Sequence, residues 1–201
     1  MARTRTIDDD IVLDRALAVF WRRGYAGASM RDLSRSTGLG VAALYHRFSD
    51  KDGLFVETVR RYADDGLNER LARLSALPDP IDAITRFLGE LVEMSVADPD
   101  RRGCLLVNTA LDGAPMSDAA RALVRARLAE VEGFFRDQLL RARAADPNLQ
   151  DIDPDRMAES LFATVLAIRV LARLDPDRNR LQRLADAALA PLTQAQKVRI
   201  R

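Results

Sequence analysis

The sequence predicts an all-α protein, an N-terminal three-helix helix-turn-helix unit followed by a larger helical unit. Three observations carry this. Apolar residues recur at steps of three and four nearly throughout, and no stretch alternates strictly as a half-buried strand would. With 10 Gly and 8 Pro in 201 residues, chain breakers are too few for a sandwich or a barrel. Three short helical stretches joined by very small turns fill the first fifty residues.

The first helix is expected from about Asp9 to Arg23, with Leu13, Leu17 and Phe20 as its inward stripe and Gly24 as its end. Ser29 is placed to cap a second helix, with Asp32 three residues on completing a shortened capping box. Thr37-Gly38-Leu39-Gly40 makes a tight connection, and Val41 to Phe48 is a third, short helix. Asp50 caps a fourth. Its stripe of Leu54, Thr58, Tyr62, Leu67, Leu71 and Leu74 runs on for about six turns until Pro78 and Pro80, so this helix is expected to leave the small unit without a break. The expected domains are therefore residues 1–50 and 51–201.

Ile81, Ile84, Leu88, Leu91 and Ser95 mark a further amphipathic helix that ends near Pro99. A short apolar segment follows from Cys104 to Leu111, and then a turn at Gly113-Ala114-Pro115. Val124, Leu128, Val131, Phe135 and Leu139 stripe a long helix that begins after Ser117. Asp153 caps a segment that is apolar around most of its girth. Met157, Leu161, Val165 and Ile168 form one face, Phe162, Leu166 and Val170 a neighbouring one, and Ala163, Thr164 and Ala167 supply small side chains. Leu181, Leu184, Ala188 and Leu192 stripe the last helix, and a frayed polar tail is expected from Gln194 onward. A helix apolar on two faces requires a partner beyond its own unit, so the final pair reads as half of an intermolecular bundle. The expected dimer contacts are Phe162, Ala163, Leu166, Ala167, Val170, Leu181, Leu184 and Ala188.

Charge and composition exclude several classes. Against 31 basic residues stand 30 acidic ones, a net charge of +1, so any nucleic-acid binding must come from a local patch. Apolar runs are cut by charge well short of a membrane span, and Asp8, Asp9 and Asp10 stand where a signal peptide needs an apolar core. One cysteine and one histidine make neither an internal disulfide nor a familiar zinc site. The expectation is a cytoplasmic protein with no metal, no cofactor and no membrane partner. Enzyme chemistry is not expected, because His46 is the one imidazole, no phosphate loop is present and no carboxylate pair has a distinctive spacing.

The segment Met30 to Leu54 reads MRDLSRSTGLGVAALYHRFSDKDGL. Leu33, the turn Gly38-Leu39, then Leu44-Tyr45-His46-Arg47-Phe48, Lys51 and Leu54, preceded by Gly24-Tyr25 and Ser29-Met30-Arg31-Asp32, resemble the DNA-binding region of TetR/AcrR-family transcriptional regulators. The resemblance covers about the first quarter of the chain. It implies phosphate contacts from Tyr45, His46 and Lys51, which position a protein on DNA without reading sequence. It puts base reading at the start of the third helix, Gly40, Val41, Ala42 and Ala43, whose side chains offer only apolar contact suited to thymine methyl groups. Arg31 matches a family position that reaches a base, and a bidentate Arg–guanine pair gives about 1–3 kcal/mol of discrimination. Arg31 is therefore expected to carry most of the direct readout, with Arg3 and Arg5 as a basic arm. The free N–H groups of the fourth helix, beside Lys51, offer a further anion site, offset in part by Asp50 and Asp52.

For the rest of the chain the resemblance implies a homodimer on an inverted-repeat operator in double-stranded DNA, most simply a repressor released by a small molecule. Candidate pocket residues are Phe87, Leu91, Met94, Cys104, Val107, Asn108, Leu111, Leu128, Val131 and Phe135. They suit a mainly apolar effector with one or two hydrogen-bonding groups. Cys104, which follows Arg101-Arg102-Gly103, also resembles the reactive cysteine of family members that sense electrophiles or oxidants. The rival reading is a helical protein-interaction adaptor with a vestigial helix-turn-helix, which leaves the Tyr45–Lys51 pattern unexplained.

Overall fold

A computed structural model describes residues 8–113 and 116–197, and these are helical without a strand. Arg3, Arg5 and the Ala114-Pro115 turn fall outside the described residues. Contacts divide the chain into two units. One comprises the residues up to Leu67 with Asn108–Arg127, the other Asn68–Val107 with Leu128 onward. The sequence reading put a single division after residue 50.

In the first unit, α1 (Asp9–Gly27) begins at Asp8, whose side chain accepts from the Asp10 amide. Val12, Ala16, Val19 and Phe20 are its buried residues, whereas Leu13 and Leu17 are half-buried. The inward stripe is thus rotated by about one residue from the expected one. Residues 12, 16 and 19 keep the same helical spacing, and the small Ala16 suits a close approach of α2 and α4, both of which pack on α1. Gly24 (φ 70°, ψ 173°) interrupts the helix where its end was expected, and one more turn follows to Gly27. Next come α2 (Met30–Thr37), α3 (Val41–Phe48) and α4 (Lys51–Tyr62), the last capped by Asp50. Arg61 ties α4 to α1 through Asp10 at 2.8 Å and Asp14 at 2.7 Å.

The helix that starts at Lys51 does not stay α-helical. A π-helical segment, Ala63–Asn68, separates α4 from α5 (Glu69–Ser75). The predicted stripe steps by five residues between Tyr62 and Leu67, and a π turn, bonded i to i+5, accommodates that step where an α turn does not.

In the second unit, α6 (Pro80–Val96) starts at Asp79, which accepts from the amides of Ile81 and Asp82, with Pro80 in the first turn where its missing N–H is harmless. Its predicted stripe, Ile81, Ile84, Leu88, Leu91 and Ser95, is buried. After α7 (Leu105–Leu111), the long α8 (Asp118–Ala145) opens on Ser117, whose hydroxyl accepts from the Ala120 amide at 3.2 Å. A 3-10 turn at Pro147–Leu149, which the periodicity did not indicate, precedes α9 (Pro154–Leu174), capped by Asp153 as expected. On α9 the face of Met157, Leu161, Val165 and Ile168 is buried against α6 and α10. The final helix, α10 (Arg178–Lys197), covers the first residues of the segment expected to fray, the rest of which lies outside the described residues. Its buried residues among those described are Leu181, Ala185, Leu189 and Leu192. Leu192 anchors the last turns, which explains their persistence.

Candidate nucleic-acid interface

The recognition elements are fixed by short-range polar bonds. At the start of α2, Ser29 Oγ accepts from the Asp32 amide at 3.1 Å while Asp32 Oδ2 accepts from the Ser29 amide at 3.3 Å, so the capping box is complete. Arg23 closes on the same carboxylate at 2.7 Å. The hydrogen bond from Ser29 is the main reason the Asp32 carboxyl sits below its ordinary range. With Asp32 held in this way, the adjacent Arg31 is exposed and has no hydrogen-bond or ion-pair partner among the described residues.

The turn between α2 and α3 is locked from both sides. Gly38 takes the left-handed conformation (φ 79°, ψ 5°), which a residue without a Cβ adopts freely, and its N–H donates to the Ser34 carbonyl. The Ser34 hydroxyl donates to the Leu39 carbonyl at 2.7 Å, and Arg15 on α1 donates to the Thr37 carbonyl at 3.1 Å. From this turn α3 starts at Gly40 with no side-chain cap, so its first N–H groups are left without one. Leu44 is its one fully buried residue. Ala42, Ala43, Tyr45 and His46 are exposed, Gly40 is exposed ahead of them, and Val41 is half-buried.

The join of α3 to α4 is tighter than the sequence suggested. Ser49 has a positive φ of 68°, and the Asp50 amide donates back to the Phe48 carbonyl at 2.8 Å, a γ-turn of the less favourable hand. Asp50 then accepts from the Gly53 amide at 2.7 Å. A Cβ on Gly53 would collide with the Phe48 carbonyl oxygen, so this position requires glycine. Because the Gly53 N–H is taken, the expected anion site at the start of α4 retains fewer free donors than predicted.

Lys51 is half-buried, its Nζ 4.3 Å from the centre of the Tyr25 ring. Burial lowers its pKa and outweighs the nearby charges of Asp52 and Asp112. Tyr25 packs on Phe20 and Phe55 and donates its hydroxyl to Asp52. Burial, then that bond, pushes the phenol above its ordinary value. The other Asp52 oxygen accepts from the Ser117 amide at 2.9 Å. Burial works to raise the Asp52 carboxyl, but these hydrogen bonds outweigh it and hold the group low. Asp112 completes the arrangement, accepting from the Ala26 amide at 3.1 Å and lying against Gly24, where a Cβ would come within 2.9 Å of it. Asp52 is therefore engaged by Tyr25 and Ser117 as well as lying beside the Lys51 charge. Sequence reasoning singled out Lys51 but missed Tyr25, Gly53, Asp112 and Ser117 as its supports. The Gly24-Tyr25 pair was the available signal.

The other candidate residues separate by exposure. Phe87, Leu91, Val107, Val131 and Phe135 are buried, and Cys104, Asn108 and Leu128 are half-buried, whereas Met94 and Leu111 are 51% and 67% exposed. Asn108 and Leu111 belong to the first unit and the others to the second. Among the expected dimer residues, Phe162, Leu166, Ala167, Leu184 and Ala188 are half-buried, and Ala163 and Val170 are exposed. Leu181 is fully buried in the core of its own unit, which leaves it no surface to offer a second chain.

Residues 12–58 match the family model for bacterial regulatory proteins of the tetR family, and residues 80–188 match that for the tetracyclin repressor-like C-terminal domain. The chain belongs to the TetR family. Along nearly its whole length this TetR-family protein is 29% identical to the HTH-type regulator YezE of Bacillus subtilis, over 96% of its own chain and all of the relative. It is 25% identical to the HTH-type transcriptional repressor ComR of Escherichia coli, over 93% and 90% of the two chains. Among solved structures, a cysteine-substituted form of the TetR-family regulator CifR, complexed with 26-base-pair double-stranded operator DNA, superposes with a TM-score of 0.84 at 32% identity, covering 94% of this chain and 98% of that one. A TetR regulator from Chloroflexus aurantiacus gives 0.78 at 27%, covering 92% and 93%. As a member of this family the protein is a helix-turn-helix transcriptional regulator and not an enzyme. Among the described residues, no helix is long and apolar enough to cross a membrane and no group of His, Cys, Asp or Glu is placed to hold a metal ion.

Proposed function

We propose that this regulator is a repressor that grips an inverted-repeat operator as a homodimer and releases it when a small, mainly apolar molecule binds the helical region after residue 50. The observation that carries the DNA half of this reading is the division of labour among charges. Asp32 and Asp50 are engaged in caps and Asp52 by Tyr25 and Ser117, while Arg31, Tyr45 and His46 face solvent. Arg31 reads a base, the start of α3 makes apolar contacts, and Tyr45, His46 and Lys51 hold phosphates. The repressor assignment draws on ComR and on DhaR of a Mycobacterium, both named as repressors. Dimerisation uses the outer face of α9, where Phe162 and Leu166 are half-buried and Val170 is 38% exposed in the single chain.

The test is selection of bound duplexes from a random DNA pool at physiological salt. The expected outcome is an inverted repeat whose half-sites lie about one helical turn, 34–36 Å, apart. Recovery of no common sequence, with binding that vanishes as salt rises, would sink the reading.

A further inference from the structure

The second unit holds a group of charged side chains to which the reading above gives no task. Arg169 on α9 is 8% exposed. One of its amino groups donates to Ser95 Oγ at 3.2 Å, and among the described residues it has no carboxylate partner. Ser95 is also buried and passes its own proton to the Leu91 carbonyl at 2.7 Å. A guanidinium carries five N–H donors, so most of the Arg169 fork is unused.

Arg70 on α5 reaches the same helix. Its side chain is 10% exposed, its guanidinium lies 4.2 Å from the centre of the Phe87 ring, and it donates to Glu90 at 3.0 Å. Arg73 takes both oxygens of that same Glu90, at 2.9 and 2.8 Å. Two guanidinium groups thus share one carboxylate, and Arg169 lies near enough for its charge to act on Arg70. Burial lowers the Arg70 pKa to about 10, attraction by Glu90 opposes this, and the charges of Arg169 and Arg73 add to the lowering. A buried cation without a counter-ion is costly, and proteins place such groups at functional sites more often than elsewhere. Beside Arg70, Phe87, Phe134 and Phe135 form a cluster with centroids 5.0 to 5.5 Å apart.

We propose that Arg169 and Arg70 form the anion-binding end of the effector site, which takes a carboxylate with an apolar or aromatic body. The unused N–H groups of Arg169 meet the carboxylate in the geometry that a planar fork and a carboxylate share. Arg70 supplies a second positive charge, and the phenylalanine cluster supplies apolar walls. This rests on the proposal that the second unit binds an effector, and specifies the effector's charged end.

The experiment is calorimetric titration of the full-length protein with acetate, hexanoate, decanoate and benzoate, each against its matching amide, and with inorganic phosphate. At least one of the larger carboxylates is expected to saturate about tenfold to a hundredfold tighter than its amide, the range for hydrogen bonds to charged groups. Arg169→Met should remove that preference, and Arg169→Lys should keep part of it. Equal binding of acids and amides, or a preference that survives Arg169→Met, would overturn the site. Phosphate binding as tight as the best carboxylate would overturn the organic body. Should both variants fail to fold, the acid-to-amide ratio of the unmodified protein decides alone. Operator binding is read in parallel. A carboxylate that binds through Arg169 without loosening DNA would refute the ligand-released repressor and leave the anion site standing.

Discussion

The two units treat charge in opposite ways. In the first, Asp32, Asp50, Asp52 and Asp112 are each committed to an amide, a hydroxyl or a guanidinium, and Arg31 stands exposed beside them. In the second, Arg169 is buried with a single hydroxyl, and Arg70 and Arg73 compete for Glu90. The contrast separates two kinds of recognition. The DNA-facing surface keeps Arg31 in water and fixes the backbone beneath it, whereas the proposed anion site holds Arg169 mostly out of water with most of its donors unfilled.

Substitutions can break this comparison, beginning with the largest effect. Gly53→Ala drives a methyl group into the Phe48 carbonyl and should destabilise the first unit by about 3 kcal/mol or more. Gly89→Ala on α6 meets nothing within 4 Å and should stabilise the second unit by about 0.5–1 kcal/mol. The single tryptophan, Trp21, lies in α1 against Tyr62, so its fluorescence during urea unfolding reports the first unit and far-ultraviolet circular dichroism reports both. Equal responses to the two alanines would show that the α3–α4 join is not rigid.

Arg31→Ala should remove about 1–3 kcal/mol of preference for operator over random duplex. Lys51→Ala should weaken both duplexes alike and reduce the salt slope by about one contact. Titrations at several salt concentrations distinguish the two, and equal losses on both duplexes for Arg31→Ala would remove it from base reading. Arg169→Met tests the second unit without ligand. Replacing an under-partnered buried charge by an apolar chain of similar length should leave stability unchanged or raise it by about 1 kcal/mol. A clear loss in thermal unfolding would make Arg169 a structural residue. The smallest effect concerns acid. The Asp52 carboxyl is held below its unfolded value, so its contribution is present at neutral pH and fades as pH falls through the acid range, below about pH 4. Asp52→Asn should therefore flatten the acid limb of the first unit's stability profile, by less than about 1 kcal/mol given its partial exposure. An unchanged limb would mean that the Tyr25 and Ser117 bonds add nothing.

Local signals were read well from the chain because their partners are close in sequence. Ser29 with Asp32, Gly38, and the caps Asp50 and Asp153 each act within a few residues, and the structure forms each where it was expected. Features that join distant segments were not legible. Asp52 meets Ser117 across 65 positions and Ala26 meets Asp112 across 86, and nothing in periodicity announces either contact. Arg169 was passed over for a related reason. A charged residue on a mostly apolar helix reads as a solvated face, and only the packing of α9 on α6 shows that it is buried. Leu181 failed in the opposite direction, since a stripe of leucines does not reveal whether it faces its own core or another chain.

The π segment at Ala63–Asn68 bears on how this chain is lined up against others. A wide turn absorbs one residue more than an α turn, so a helix can gain or lose a single position there without opening a loop. Removing one residue from this stretch and regularising it would replace a five-residue step of the inward stripe by a four-residue one, each a little over one revolution of its own helix type. A gap of one residue in an alignment at this point would therefore record a change of turn type that leaves the inward stripe in phase. Insertions and deletions here deserve counting by angle as well as by length.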